Sequence, residues 1–443
     1  MTGTYWVETL GCPKNRVDSD KLAGQLEVAG LSPAESPADA DTVVVNTCAF
    51  IEAAREESID TILELSAGRR SGSRLVVTGC MAERYGEELA SALPEVDLVA
   101  GFGSSLNPAP KPVPEPVPIR LHKAPPTSFD LLNLPRPAHR APWAYVKVAE
   151  GCDRRCGFCA IPSFRGRQRS RDMESILCEV ESLGQGVREV VLVAQDLASW
   201  GLDRTGQSRN SRRAGPARPI VELVGRVADR VDRVRLLYLY PSSLDDDLID
   251  AVGETGVPYY DLSLQHVSRP LLKQMRRWGD SASYFDRIAR IRSAAPEATL
   301  RSSFILGYPG ETEEDHDRLL EFLEEAELDW AGFFTFSMEE GTHAARLANQ
   351  VAPELAMERL RECSEVQERI TTRRRLSLVG RPMEVLVDAP EVARSYREAP
   401  EIDGVVHVPS SLVTGAFHEV VVTDSSSTDL WGEPLVQEGV RSR

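Results

Sequence analysis

The stretch 144-AYVKVA-149, followed at once by 150-EGCDRRCGFCAIPSFRGRQRSR-171, decides how the chain is read. The first piece is a short apolar run rich in β-formers, which predicts a strand. The second holds Cys152, Cys156 and Cys159, spaced C-x3-C-x2-C, and then an arginine-rich run. Three soft ligands on one loop point to a metal, yet a closed tetrahedral site needs four. A structural zinc site is one alternative, but the nearest histidine, His139, lies upstream of the strand. An iron–sulfur cubane is the other: three thiolates can hold three irons and leave the fourth open to a substrate or cofactor. Phe158 adds apolar cover beside the last cysteine, which limits solvent access.

Outward from this loop the alternation of strand and helix continues. The candidate strands are 144–149, 189–194, 233–239, 259–265, 299–307 and 331–337. Helices are expected at 172–185, 244–252, 281–294 and 313–327, and a long one at 354–377. Six βα units predict a partial (βα)6 barrel, with chemistry at the C-terminal strand ends. An arginine-rich, polar insertion at 203–219 reads as a surface loop.

The first hundred residues form a separate α/β pattern, with strands 4-TYWVETL-10, 42-TVVVNT-47, 74-RLVVTG-79 and 97-DLVA-100. Helices are expected at 16–29, 50–66 and 82–92, so the sheet is parallel. Ligands gather at the carboxyl ends of such strands. Cys12, Cys48 and Cys80 each sit there, either as three small buried residues or as a second shared site. Between the two modules, residues 104–142 include 108-PAPKPVPEPVP-118, a semi-rigid linker composition. The last 64 residues change to short alternating strands, 383–388, 404–408 and 418–423, which predict a small antiparallel β-barrel. The expected domains are 1–103, a linker 104–142, 143–378 and 379–443.

The net charge of −17 and pI near 5.0 disfavour nucleic acid at long range and suit a basic partner. The start lacks a basic region followed by an apolar one, and no apolar run is long enough to span a bilayer. The expectation is a cytoplasmic protein without a membrane partner. Eight cysteines in such a chain read as metal ligands or thiols before disulfides.

The C-x3-C-x2-C loop with an aromatic residue before its last cysteine resembles the radical S-adenosylmethionine superfamily. That resemblance implies a [4Fe-4S] cluster on Cys152, Cys156 and Cys159, whose open iron is ligated by S-adenosylmethionine. Nearly the whole chain resembles the methylthiotransferases. These join an N-terminal domain with an auxiliary cluster to a radical core and a C-terminal TRAM barrel. Cys12, Cys48 and Cys80 would hold that second [4Fe-4S] cluster. One S-adenosylmethionine would generate the radical and another would methylate a sulfur on the auxiliary cluster, which demands proximity of the two.

Within the family, 9-TLGCPKNRVDSD-20, 192-LVAQD-196, 236-LLYLYP-241, 264-LQH-266, 304-FILGYPGETEED-315 and 396-YREAPEIDG-404 are similar to one branch. Its members methylthiolate the β-carbon of an aspartate in ribosomal protein twelve of the small subunit. The alternative is the tRNA-modifying MiaB kind, which typically shows GCQMN where this chain has Gly11-Cys12-Pro13-Lys14-Asn15. A non-enzymatic iron–sulfur carrier is a third reading. Leu197, Ala198 and Ser263 depart from the branch's pattern.

By the same resemblance, Gln195, Asp196, Gln265, His266, Gly307, Tyr308 and Pro309 are candidate cofactor-binding positions beside Phe158, with adenine near the 307–310 turn. His266 could equally cap a buried network. Arg165, Arg167, Arg169 and Arg171 could meet the cofactor or substrate, but a solvated basic loop is the commoner outcome. Cys178 and Cys363 read as core thiols. A reducing partner of flavodoxin or ferredoxin type and a sulfur donor are implied. Residues 380–443 carry five arginines, no lysine and eleven acidic residues, a net of −6. Phosphate binding needs the opposite charge, so the barrel favours a basic protein substrate over RNA.

Overall fold

The structure, a computed structural model, describes residues 3–102, 104, 106, 131–205 and 218–435. Most of the linker 104–142 and of the insertion 203–219 lies outside the described residues. The chain falls into two compact units, Met1–Ala138 with Ala160–Arg167, and His139–Cys159 with Gln168–Arg443.

In the first unit, strands β1 (Thr4–Thr9), β2 (Ser32–Pro33), β3 (Thr42–Thr47), β4 (Arg74–Gly79) and β5 (Leu98–Val99) form one parallel sheet, order β2-β1-β3-β4-β5. Side chains alternate faces along a strand. Val43, Val45, Leu75 and Val77 therefore pack on one side with Ile62 and Leu89, while Val44 and Val76 pack on the other with Leu22 and Leu26. Ile62 and Leu89 come from helices α2 (Glu52–Gly68) and α3 (Cys80–Ala92); Leu22 and Leu26 come from α1 (Pro13–Val28). A short helix α4 (Ile161–Phe164) also belongs to this unit. The edge strand β2 was not expected, because two residues are too few to show periodicity.

The second unit contains six parallel strands: β6 (Trp143–Lys147), followed by a short β7 (Ala149–Glu150) that pairs with β8 (Arg169–Ser170), then β9 (Glu189–Val193), β10 (Arg233–Leu236), β11 (Tyr259–Gln265), β12 (Thr299–Leu306) and β13 (Trp330–Thr335). They pair as β6-β9-β10 and β11-β12-β13. A bridge between Leu239 and Leu262 joins the two halves in sequence order. Helices α5 (Met173–Ser182), α6 (Leu202–Thr205), α7 (Pro219–Ala228), α8 (Asp246–Gly253), α9 (Arg269–Gln274), α10 (Ser281–Ala294) and α11 (Glu313–Ala326) connect them. The long α12 (Pro353–Leu376) closes the module against β13, where Thr371 Oγ1 donates to the Asp329 carbonyl at 2.9 Å. This is the partial (βα)6 barrel.

Strands β14 (Pro382–Ala389), β15 (Val392–Arg394), β16 (Val406–His407), β17 (Phe417–Ser426) and β18 (Asp429–Pro434) close a small barrel in the order β14-β15-β16-β18-β17. It is not wholly antiparallel as expected: β16 and β18 run parallel. Five strands around a closed ring cannot alternate direction throughout, so one pair must break the alternation. The small barrel meets the N-terminal ends of the core strands. There Glu189 takes Arg235 Nε at 2.7 Å and Arg394 Nη1 at 3.2 Å, and Tyr259 Oη donates to Asp403 at 2.6 Å. Arg375 pairs with Glu398, and Tyr145 Oη donates to the Pro400 carbonyl at 2.7 Å.

Candidate active site: two thiol triads

In the first unit the three cysteines emerge at one end of three neighbouring strands. Thr9 is level with Asn46, and Thr47 with Gly79, so the residues following β1, β3 and β4 start from a common edge. Cys12 precedes the first turn of α1, Cys48 follows β3, and Cys80 opens α3. Two glycines make the approach possible. Gly11 has φ +89, and a Cβ there would lie 2.9 Å from Cys48 Sγ; Gly79 has φ +93, and a Cβ there would lie 2.6 Å from the Thr47 nitrogen. Only glycine reaches both the backbone angle and the contact.

The electrostatics tie the triad together. Burial pushes the Cys48 thiol up to about 12, with the charges of Cys12 and Cys80 adding to the rise. Burial likewise raises Cys80 against the pull of Arg165. For Cys12 burial is outweighed, and the Lys14 and Arg165 cations hold the thiol below its ordinary value. Arg165, six residues beyond Cys159, donates from Nε and Nη2 to Cys80 Sγ at 3.3 and 3.0 Å. The same Nη2 reaches Asn15 Oδ1 at 2.7 Å, and Nη1 pairs with Asp18 at 3.2 Å. Asn15 in turn donates to the carbonyls of Leu10 at 2.9 Å and Thr47 at 3.1 Å, stitching the loop after β1 to the end of β3.

In the second unit the C-x3-C-x2-C loop follows β6 and β7. The Gly157 amide donates to the Met275 carbonyl, and the Ala344 amide to the Gly157 carbonyl, each at 2.8 Å. Cys152 Sγ accepts from the Arg154 amide at 3.3 Å, and burial followed by the nearby Asp196 charge takes its thiol up to about 11. Arg277 Nη1 donates to Cys156 Sγ at 3.2 Å, and its guanidinium lies 4.3 Å over the Tyr240 ring. Phe158 is partly buried against the core. Asp196 is buried and holds Arg154 Nε at 2.6 Å. Gln195 Nε2 donates to Glu150 at 2.8 Å, and Glu150 also pairs with the buried Lys147 at 2.7 Å.

The remaining candidates are placed differently. Gln265 ends β11 with φ +74 and a shifted register. His266 is fully buried, accepts from the Ser268 amide at 3.0 Å, and is driven down to about 4 by burial. The 307–310 turn has its amides engaged: Gly307 and Tyr308 both donate to Glu311, whose carboxyl burial raises to about 7. Tyr308 and Pro309 are buried. The arginine run splits in two. Arg167 and Arg169 are exposed, whereas Arg165 and Arg171 are buried, the latter paired with Glu179 at 2.7 Å. Cys363 lies in the core, but Cys178 is exposed, because its position on α5 falls on the face opposite Ile176, Leu177 and Val180. Neither Arg154 nor Arg277 stands out in the residue order, because their partners come from other strand ends.

Among the described residues no group of three or more His, Cys, Asp or Glu side chains forms a ready metal-holding set. The donor sets nevertheless fit iron–sulfur chemistry: each is three thiols, buried or half-buried, with a guanidinium against one sulfur. The histidine that a zinc site would need, His139, packs edge-on against Trp143 at the start of β6, 6.3 Å between ring centres.

Comparison with known proteins assigns each part. Residues 4–101 match an uncharacterized protein family, UPF0004, residues 146–323 the radical SAM superfamily, and residues 379–435 the TRAM domain. Curated relatives align along nearly the whole chain. The ribosomal protein uS12 methylthiotransferase RimO of Moorella thermoacetica is 44% identical, covering 91% of this chain and 92% of its own. The protein of the same name from Aquifex aeolicus is 41% identical, covering 96% of each. Among solved structures, the radical S-adenosylmethionine methyltransferase TsrM of Kitasatospora setae aligns with a TM-score of 0.49 at 15% identity over 76% of this chain and 75% of that one, too distant to bear on function.

The fold, the thiol loop and these matches define a radical SAM enzyme with a TRAM barrel. At this identity and coverage, the chain belongs to the RimO family of methylthiotransferases.

Proposed function

We propose that this chain methylthiolates the β-carbon of an aspartate in ribosomal protein uS12, with two [4Fe-4S] clusters and S-adenosylmethionine. The observation that carries the reading is the second triad. A radical enzyme without a sulfur-delivering centre would not need Cys12, Cys48 and Cys80 at the ends of three adjacent strands with a buried cation on one of them. When bound, the clusters would supply a carbon-centred radical from one S-adenosylmethionine and a soft sulfur for methylation by another.

The chain's own residues do the holding. Cys152, Cys156 and Cys159 would ligate the radical cluster, and Cys12, Cys48 and Cys80 the auxiliary one. Phe158 would shield the cluster, while Gln195, Asp196 and Gln265 would hold the cofactor at the strand ends. His266, Gly307, Tyr308 and Pro309 complete the cofactor-binding positions: His266 Nδ1 accepts from Ser268 while its buried Nε2 has no partner among the described residues, and the turn amides of Gly307 and Tyr308 donate to Glu311. The domain limits 1–103, 143–378 and 379–443, with the linker between, describe the working parts.

A protein substrate suits the small barrel. Of its described arginines, Arg394 and Arg397 are buried in ion pairs with Glu189 and Glu297, which leaves little to neutralise phosphates. The enzyme works in the cytoplasm, where uS12 is found, with a flavodoxin- or ferredoxin-type reductant and a sulfur donor. Among the described residues no helix is long and apolar enough to cross a membrane.

The test is anaerobic reconstitution with iron, sulfide, a reductant and S-adenosylmethionine, then mass spectrometry of small-subunit ribosomal proteins and bulk tRNA together. A gain of one methylthio group on uS12 is expected, and the Cys48→Ala chain should cleave S-adenosylmethionine yet leave uS12 unmodified. A gain on tRNA alone would overturn the substrate.

A further inference from the structure

Arg165 brings a cation to the first triad from the segment that follows the other triad in sequence. Its side chain is 3% exposed and that of its partner Asp18 is 1% exposed. Burying a guanidinium is costly unless it is paired and hydrogen-bonded. Asp18 supplies the pairing, so charge balance alone does not require Cys80. Two N–H groups nonetheless converge on the Cys80 sulfur, at 3.3 and 3.0 Å. A neutral thiol is a weak acceptor, whereas a thiolate is a strong one. The arrangement is built for the ionised, metal-bound sulfur.

We propose that Arg165, oriented by Asp18, is a positioning residue that sets the reduction potential of the auxiliary cluster through its hydrogen bonds to the Cys80 sulfur. The proposal rests on the two-cluster reading above. Three thiolates around a cubane core of charge +2 leave an excess of negative charge in a buried place. Hydrogen bonds to the sulfurs and nearby net charge are the levers by which a protein tunes such a centre. Arg165 and Asp18 together are neutral, but the cation faces the sulfur and the carboxylate stands behind it. Removing either one should therefore move the cluster in opposite directions. Without Arg165 the cluster would face the Asp18 carboxylate, and reduction would become harder. Without Asp18 the cation would lose that counter-charge, and reduction would become easier. A guanidinium that only anchored the 160–167 segment, by stacking 4.5 Å over the Phe102 ring, would move neither.

The experiment uses the full chain with Cys152, Cys156 and Cys159 changed to alanine, so that only the auxiliary cluster can load. Iron and sulfide are counted after anaerobic reconstitution, and the midpoint potential is read by redox titration with paramagnetic resonance. Arg165→Gln is expected to lower the midpoint, Arg165→Lys to lower it less, and Asp18→Asn to raise it. Unchanged midpoints, or shifts of the same sign for Arg165→Lys and Asp18→Asn, would overturn the inference while leaving the cluster assignment standing. Should Arg165→Gln fail to load iron, those two variants decide, since each keeps part of the pair. If the parent chain itself holds no iron, the two-cluster reading fails, and the inference with it.

Discussion

Arg154 Nε lies 2.6 Å from Asp196 Oδ2, while the same guanidinium sits 3.7 Å over the Tyr240 ring and donates to Ser243 Oγ at 2.6 Å. One side chain of the cysteine loop is thus fastened to the ends of the second and third core strands. The loop's geometry is set by charge-assisted hydrogen bonds that only the folded sheet can supply.

Asp196→Asn keeps the volume and removes the charge. Partners of metal ligands commonly carry a 10- to 100-fold effect when lost. We expect reductive cleavage of S-adenosylmethionine to fall about 10- to 100-fold with iron content retained. Chromatography of the 5′-deoxyadenosine product, beside an iron assay, checks this.

Arg277→Met should do more than Asp196→Asn. The arginine bonds both Cys156 Sγ and the Ser263 carbonyl from a half-buried position, so its loss strips a donor from a ligand sulfur and leaves a carbonyl unsatisfied. A buried acceptor without its partner costs about 1–3 kcal/mol. The expected result is slower loading of the radical cluster and a lower thermal midpoint, followed by visible absorbance and calorimetry. Unaltered cluster uptake would contradict it.

Glu189 gives a pH signature. Burial alone would raise its carboxyl, but Arg235 and Arg394 overcome that and take it down to about 2. A depressed folded value means the stabilisation is complete above the ordinary carboxylate range near ~4.3 and fades as pH falls toward 2. Glu189→Ala should remove that acid dependence and cost about 3–5 kcal/mol, because two buried guanidiniums lose their anion. Urea unfolding of both chains between pH 7 and pH 3 measures it.

Two glycines of one turn separate strain from crowding. Gly307 has φ +73, and a Cβ there would lie 2.5 Å from the Ala356 Cβ; Gly310 has φ +84, with nothing nearer than 3.5 Å. Gly310→Ala should cost about 1–2 kcal/mol of left-handed strain. Gly307→Ala adds overpacking of about 1–3 kcal/mol and should be the worse of the two in any thermal melt.

Much of this architecture could be read from residue order. The valine runs of 42–47 and 74–79 end at their cysteines, so parallel-strand logic alone brings Cys48 and Cys80 to one edge. Arg165 could not be read in that way. A run of four arginines among polar residues looks solvated, and only the folded chain shows that the first and last, Arg165 and Arg171, turn inward while Arg167 and Arg169 stay out. Cys178 failed for a related reason: apolar neighbours in sequence surround it, but a helix assigns faces by angle. Strand β15 escaped notice because three residues are too few to show periodicity, and β18 because DLWGEP, with its glycine and proline, owes its extended form to pairing with β17.

The pairs that join Glu189 to Arg394, Arg375 to Glu398 and Tyr259 to Asp403 have a practical consequence for anyone dissecting the molecule. The C-terminal barrel cannot be trimmed off as a spare adaptor. A truncated chain would leave Glu189 without Arg394, Arg375 without Glu398 and Tyr259 without Asp403 at a raw surface, and would be expected to precipitate. A chimera with a foreign terminal module would succeed only if the graft brought its own guanidinium for Glu189 and carboxylates for Arg375 and Tyr259.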